Sequence, residues 1–148
     1  MQRLVFAVLS LAFLVGTSCT RAVDKDLVIA AYKGDAAQVR TLLRQGANIE
    51  AHAQDDWTPL TVAAREGHND CVATLLSAGA NPNAEEGGGN TALFWATYTG
   101  HTATVRLLLA HGADVNHKCG HCKTALRVAL DHNNTELAEI LRKAGATE

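Results

Sequence analysis

Apolar residues recur along this chain at spacings of three and four, which place them on one face of a helix. One such face lies in residues 59–66, and a second lies in residues 69–78. The first consists of Leu60, Ala63 and Ala64, and the second of Val72, Leu75 and Leu76. Thr58 fits the N-cap of the first helix, and Gly79 fits the left-handed residue that ends the second. The pattern predicts a pair of short helices that bury these side chains.

The same helix pair returns with a period of 33 residues. Thr58-Pro59-Leu60 is followed by Thr91-Ala92-Leu93 and by Thr124-Ala125-Leu126. The glycines of a Gly-Ala dipeptide end successive pairs at Gly46, Gly79, Gly112 and Gly145. The turn inside each pair falls at Gly34, Gly67, Gly100 and Asn133. A left-handed turn favours glycine, or asparagine as its substitute. The period therefore predicts four stacked helix pairs.

Two segments resemble the ankyrin repeat: residues 55–84 read DDWTPLTVAAREGHNDCVATLLSAGANPNA, and residues 88–117 read GGNTALFWATYTGHTATVRLLLAHGADVNH. They follow the TPLHxAA, GH and GADVN landmarks of the family, although Thr61, Phe94 and Arg127 replace the histidine of TPLH. The resemblance implies an all-α solenoid of helix-turn-helix pairs joined by β-hairpin loops. It covers residues 24–148 as four repeats, of about 24–51, 52–84, 85–117 and 118–148.

The first residues of the chain differ from the repeats and are typical of a secretory signal peptide. Arg3 precedes an apolar run from Leu4 to Val15, and small residues follow as far as Ser18. The run is shorter than the ~20 residues that a membrane-spanning helix needs. We therefore expect a signal peptide over residues 1–18, a short linker over 19–23 and an exported protein, periplasmic if the source is bacterial.

Cys19 leaves two outcomes open at this boundary. The sequence VGTSC resembles a bacterial lipobox, in which a lipidated cysteine becomes the mature N-terminus. The match is partial, because Gly16 stands where the family usually has leucine. Lipidation of Cys19 would anchor the protein to a membrane, whereas plain cleavage after Ser18 or Ala22 would leave it in solution.

The charge and the motifs of the sequence argue against nucleic-acid binding and against catalysis. Lys and Arg total 13 and Asp and Glu total 15, a formal net charge of -2 without a basic block. We therefore do not expect a nucleic-acid partner. The sequence contains no GxSxG, P-loop, HExxH or dinucleotide fingerprint. We expect a monomer that is not an enzyme, with no catalytic residues, no cofactor and no metal.

The motif CGHC at residues 119–122 allows three interpretations. As a string it matches the active site of the protein disulfide isomerases, but both cysteines precede the helix that Thr124 caps. In an oxidising compartment, a structural disulfide between Cys119 and Cys122 is the simpler interpretation. With His117 the motif also offers four metal ligands, although neighbouring ligands in one turn seldom complete a tetrahedron. Redox or metal chemistry at this motif is the alternative function.

The resemblance to ankyrin repeats implies a protein-binding module that uses a concave surface of hairpin tips and A helices. We expect an adaptor, an inhibitor or protector, or a stabilising partner of an envelope protein. Trp57 and Tyr98 are the best candidate anchors, because Trp and Tyr are enriched in binding hot spots. Packing of Trp57 against Arg65 or a neighbouring tip is the alternative. Phe94 and Trp95 should pack in the core or between repeats. The candidate partner-binding residues are Tyr32, Lys33, Asp55, Trp57, Arg65, Glu66, Asn90, Tyr98, Thr99, His121, Lys123, Asp131 and His132.

Overall fold

The computed structural model describes residues 22–53, 56–120 and 123–147, which form eight helices in four pairs. The helices are α1 (residues 22–33), α2 (Ala36–Arg44), α3 (Pro59–Glu66), α4 (Asn69–Ser77), α5 (Ala92–Tyr98), α6 (Thr102–Ala110), α7 (Ala125–Asp131) and α8 (Thr135–Lys143). Helices α3, α5 and α7 pack side by side in one layer, and α2, α4, α6 and α8 form the other. This is the all-α solenoid that the repeats predict. Within the described residues no helix is long and apolar enough to span a bilayer.

Some predicted features lie outside the described residues. They are the signal peptide, Cys19, Asp55, His121 and Cys122. At the N-terminal boundary, the predicted linker includes Ala22 and Val23, but both residues belong to α1. The helix extends this far because Val23 packs against the apolar core.

Threonine caps begin the odd-numbered helices of the last three pairs. Each threonine is extended, and its side-chain oxygen accepts a hydrogen bond from the amide three residues later. The bonds are 3.2 Å at Thr58, 3.4 Å at Thr91 and 3.3 Å at Thr124. These contacts satisfy amides that a helix start otherwise leaves without a partner. The caps predicted at Thr58 and Thr124 are confirmed, and Thr91 caps α5 in the same way.

Thr61 takes over part of the role of the missing TPLH histidine. Its hydroxyl lies 2.9 Å from the amide nitrogen of Thr58, whose hydrogen bond it accepts, and 3.1 Å from the Thr58 hydroxyl. Both threonines are fully buried. The two residues therefore cap each other reciprocally, as in a capping box.

The turn inside each pair has the predicted left-handed backbone. The φ angles are 77° at Gly34, 75° at Gly67, 81° at Gly100 and 54° at Asn133. A β-carbon on Gly34 would lie 2.7 Å from the ring of His68, and one on Gly67 would lie 2.6 Å from the ring of His101. Both glycines therefore serve the turn and also admit a histidine of the next repeat.

These two histidines connect neighbouring repeats. Nε2 of His68 lies 3.0 Å from the carbonyl oxygen of Tyr32, and Nε2 of His101 lies 3.1 Å from that of Arg65. Each carbonyl belongs to the end of an odd-numbered helix in the preceding pair. Each bond therefore joins the turn of one repeat to the odd-numbered helix of the repeat before it.

The core lies between the two layers. In each even-numbered helix, two large aliphatic side chains are at most 3 % exposed. They are Val39 and Leu42, Val72 and Leu75, Val105 and Leu108, and Leu137 and Leu141. Ala63 and Ala64 of α3 are fully buried, so α3 packs closely against its neighbours.

Hairpin tips rise from the layer of odd-numbered helices. A backbone hydrogen bond that spans three intervening residues closes the base of each tip. The bonds join the amide of Ala53 to the carbonyl of Trp57 (2.9 Å), Glu86 to Asn90 (3.0 Å) and Cys119 to Lys123 (3.1 Å). One antiparallel bridge, between Glu85 and Thr91, is formed in the described residues, which contain no longer strand. The tips and the odd-numbered helices together form the concave surface.

Candidate partner-binding surface

Most of the described candidate residues are exposed on the concave surface. Tyr32 is 57 % exposed and Tyr98 is 49 % exposed. The other exposed members are Lys33, Arg65, Thr99, Lys123, Asp131 and His132. Trp57 and Glu66 are half-buried. The structure therefore presents most of the set on one side of the molecule.

Asn90 is an exception, and its assignment to an accessible surface is wrong. The residue is 8 % exposed, and its side-chain amide donates to the carboxylate of Glu86. The same carboxylate accepts from the Asn90 amide at 3.0 Å and from the Gly88 amide at 2.9 Å. The Glu86 side chain points inward and accepts all three hydrogen bonds. Both side chains therefore stabilise the third-repeat tip.

Trp57 packs against its neighbours and does not stand free at its tip. Its ring centroid lies 5.0 Å from that of Trp95, in the next repeat, and the guanidinium of Arg65 lies 5.2 Å from the Trp57 ring. Arg65 also lies 5.8 Å from the Trp95 ring. Trp57 therefore packs against Arg65, as the alternative interpretation predicts, and against Trp95 on α5 of the next repeat in place of a neighbouring tip. The contacts hold the Arg65 guanidinium on two aromatic faces.

The aromatic contacts continue from Trp95 across the third and fourth repeats. Trp95 meets Tyr98 edge-on at 5.8 Å, and Tyr98 lies 4.9 Å from the ring of His132. Phe94 packs against both Trp95 (5.5 Å) and Tyr98 (6.1 Å). Such pairs contribute about 0.5–1.5 kcal/mol each beyond the area they bury. One aromatic row thus crosses three repeats, from Trp57 to His132.

Sequence reasoning missed Trp95 as a residue of this surface. It does pack between repeats as predicted, but it also forms the centre of the aromatic row. The available signal was its repeat position: Trp95 follows Ile29 and Val62 at the 33-residue period. Its indole nitrogen is buried without a hydrogen-bond partner among the described residues.

A groove of about 620 Å³ lies at the N-terminal end of the concave surface, between α1 and the second-repeat tip. Val28 and Val62 are buried in its floor and pack against Trp57. Ile29, on α1, is 46 % exposed. In the described residues the lining contains basic side chains and no carboxylate. The lining residues are Lys25, Val28, Ile29, Tyr32, His52, Ala53, Trp57, Val62 and Arg65.

This N-terminal groove was only partly predictable. Tyr32, Trp57 and Arg65 belong to the candidate set, whereas Lys25 and Ile29 do not. Lys25, Ile29 and Tyr32 are spaced by four and three residues, which places them on one face of α1. That spacing was a usable signal, because it places a basic residue next to two large apolar residues on the same helix face.

The C-terminal end of the concave surface carries a compact charge cluster. Lys123 donates to Asp131 over 2.9 Å, and Nε of Arg127 lies 3.0 Å from the other carboxylate oxygen. The hydrogen bond from Lys123 lowers the pKa of Asp131, and the positive charge of Arg127 acts in the same direction. Two of the cations at this end are therefore already paired within the protein.

Cys119 is a buried part of the fourth-repeat tip. It is 3 % exposed and borders a pocket of about 220 Å³ that Tyr98 and His132 also line. The next residue, Gly120, donates its amide to the carbonyl of Gly88 over 3.2 Å. A β-carbon on Gly120 would clash with that oxygen, so the third and fourth tips touch backbone to backbone.

The described part of the CGHC motif does not resemble a thiol active site. Helix α7 begins at Ala125, after the threonine cap, so Cys119 is not at a helix N-terminus. Cys119 has no disulfide partner among the described residues. Its bridge to Cys122, which lies outside them, stays a prediction. No group of three His, Cys, Asp or Glu side chains suited to a metal ion occurs in residues 22–53, 56–120 and 123–147.

The second described thiol, Cys71, lies in the core on α4. It is fully buried, and burial raises its pKa, with Asp35 and Asp70 adding to the effect. A raised pKa keeps the sulfur protonated and a poor nucleophile. Cys71 therefore acts as a small apolar side chain.

The comparisons with known proteins agree with this geometry. The family model for ankyrin repeats (3 copies) matches residues 27–119 and, in an overlapping match, residues 80–147. The chain belongs to the ankyrin-repeat family. A comparison with curated proteins found no match to this chain. Ankyrin repeats are generally protein–protein interaction modules, and theirs is a non-catalytic fold.

Proposed function

We propose that this ankyrin-repeat protein is exported and binds a partner protein through its concave surface. One observation carries the proposal: the large apolar side chains that are exposed in the described residues are Ile29, Tyr32 and Tyr98, and all three lie on odd-numbered helices. Exposed apolar groups gathered on one surface are typical of interaction sites. Tyr98, joined to the aromatic row, is the candidate anchor.

Contacts among the side chains of this surface also favour a preformed site. The aromatic row fixes Trp57, Arg65 and Trp95 against one another, and the histidine bonds fix the helices beneath them. Preorganised side chains lose little freedom on binding, which favours affinity. We propose that the protein acts as a monomer, as an adaptor, an inhibitor or protector, or a stabilising partner of an envelope protein.

Export is supported by the sequence of residues 1–19. Intact-mass spectrometry of protein from the native host tests it. We expect a chain starting at Cys19 or shortly after it, and a diacylglyceryl mass on Cys19 would select the lipid-anchored form. Cleavage after Ser18 leaves the described part of α1 whole, whereas cleavage after Ala22 removes a residue of that helix. A mature species that still begins at Met1 contradicts export.

The structural disulfide between Cys119 and Cys122 is part of the proposal, since an exported protein meets oxidising conditions. Closing so short a loop should add at most about 2 kcal/mol of stability and mainly stiffen the tip. Thiol titration of denatured native-host protein, with and without reductant, tests the bridge. Labelling of both cysteines without reductant contradicts it.

The alternative of a thiol-redox or metal-binding protein receives less support. A catalytic thiol is exposed and activated, whereas Cys119 is 3 % exposed and precedes the cap of α7. An insulin-reduction assay separates the two functions. Rates comparable to those of a thioredoxin-fold enzyme would favour the alternative over the interaction module.

Capture of envelope proteins on the purified protein tests the proposed function. Tyr98→Ala should lower the affinity for the captured partner by about thirtyfold, the loss typical of a hot-spot aromatic. Arg106→Ala is the matched control, because Arg106 is exposed on α6, away from the concave surface. Circular dichroism should show that both variants keep their helices. A partner that needs Arg106 and tolerates Tyr32→Ala and Tyr98→Ala binds elsewhere and contradicts the proposal.

A further inference from the structure

We infer that the N-terminal groove accepts an acidic peptide segment that carries an aliphatic or aromatic side chain. The inference rests on the proposed function and names the chemistry of the partner. Its first support is the apolar floor, where Val28 and Val62 are buried while Ile29 and Tyr32 remain exposed beside them. An apolar side chain of the partner can cover Ile29 without rearranging that floor.

The second support is charge. The cations Lys25 and Arg65 line the groove, and none of its described lining residues is acidic. Lys25, and Lys33 beside Tyr32, make no ion pair within the described residues. A segment with Asp or Glu near its apolar side chain therefore meets lysines that are not paired within the described residues, whereas a basic segment meets like charges.

The third support is the way Arg65 is held. Its guanidinium lies over the rings of Trp57 and Trp95, and its one ion pair in the described residues, with Glu66, is 3.7 Å long. Its side chain stays 48 % exposed. A guanidinium that stacks by its faces keeps its edge donors for a carboxylate, which it binds with a planar two-point contact.

Selection from a displayed library of random peptides, on the purified protein in the form its host produces, tests the inference. We expect the selected peptides to be enriched in Asp and Glu around an aliphatic or aromatic residue. The affinity of a selected peptide, measured by fluorescence anisotropy, should also fall as salt rises, because the ion pairs are partly exposed. Absence of binders, or enrichment of basic peptides, overturns the inference.

Paired variants locate the binding. Lys25→Glu and Ile29→Ser should each weaken a selected peptide by about tenfold, through reversed charge and lost apolar contact respectively. Lys143→Glu, at the end of α8, makes the same charge change outside the groove and should leave the affinity unchanged. Circular dichroism checks that all three variants fold. An unchanged affinity in Lys25→Glu and Ile29→Ser overturns the inference.

Two other occupants would also overturn it. A dimer in sedimentation that Ile29→Ser dissociates would assign the groove to a second copy of the chain. Peptide binding that begins only after removal of the residues before α1 would assign it to this chain's own N-terminal segment. The proposed function does not depend on this inference. If a captured protein requires Tyr98 but not Lys25 for binding, the proposed function stands and the acidic segment is rejected. If no captured protein depends on a concave residue, both fail.

Discussion

At the N-terminal end of the concave surface, Lys25 and Lys33 make no ion pair within the described residues. At the C-terminal end, Lys123 and Arg127 both bind Asp131, at 2.9 and 3.0 Å. The basic residues at the N-terminal end are therefore more available to a partner's carboxylate than those at the C-terminal end. A cation already paired with a carboxylate must give up that contact to bind another, which reduces the net gain.

The apolar residues differ in the same way. Ile29, Val62 and Val128 occupy one position of the repeat, yet Ile29 is 46 % exposed while the two valines are 9 % and 3 % exposed. At the same position Trp95 is covered in part by Trp57 and Tyr98. The neighbours of a repeat position thus decide whether its side chain is buried or exposed. At the N-terminal end the side chain at this position is more exposed.

The largest expected effect separates the aromatic row from the open N-terminal end. Trp95→Ala removes a ring that contacts Trp57, Phe94 and Tyr98, so we expect it to lower the free energy of unfolding by about 3 kcal/mol. Tyr32→Ala removes an exposed ring and should change it by less than about 0.5 kcal/mol. Urea unfolding followed by circular dichroism measures both. Equal losses would show that the aromatic row and the open N-terminal end do not differ in this way.

A smaller effect is expected where the third and fourth tips touch. Gly120→Ala places a β-carbon against the Gly88 carbonyl, so one tip must shift, at a cost of about 2 kcal/mol. Lys118→Ala alters an exposed side chain of the same tip and serves as the control. If the Gly120→Ala protein were as stable as the wild type, the third and fourth tips would separate without cost. The contact between them would then not stabilise the C-terminal end.

The fold was predictable from the sequence because its landmarks are local. The threonine caps and the left-handed turns are each fixed by one or two residues at a set spacing, and Asn133 adopts φ 54° as its place in the glycine series predicts. The binding surface was less predictable because it depends on contacts between repeats. The sequence does not reveal that Glu86 turns inward to Asn90, or that Trp57 meets Trp95.

The smallest expected effect on stability concerns the paired cations. The pKa of Asp131 is lowered in the folded protein, so its carboxylate stabilises the fold above the ordinary aspartate pKa of about 3.9. That contribution is lost as the pH falls through the lower, folded-state value. Asp131→Asn should therefore melt slightly below the wild type at neutral pH and level with it in acid.

The control for this pH series is Glu139→Gln, an exposed carboxylate of α8 that makes no ion pair within the described residues. Its melting temperature should follow that of the wild type at neutral pH. A difference between Asp131→Asn and the wild type that persists in strong acid would point to packing at Asp131 as its source.

Hydroxyl-radical footprinting of the protein with and without its captured partner tests most directly whether the concave surface carries binding. We expect the partner to protect Ile29, Tyr32 and Tyr98, which are the exposed apolar groups of the odd-numbered helices. His111, exposed at the end of α6, should react equally in both samples. Protection of His111 with unchanged oxidation of Ile29, Tyr32 and Tyr98 would contradict the account.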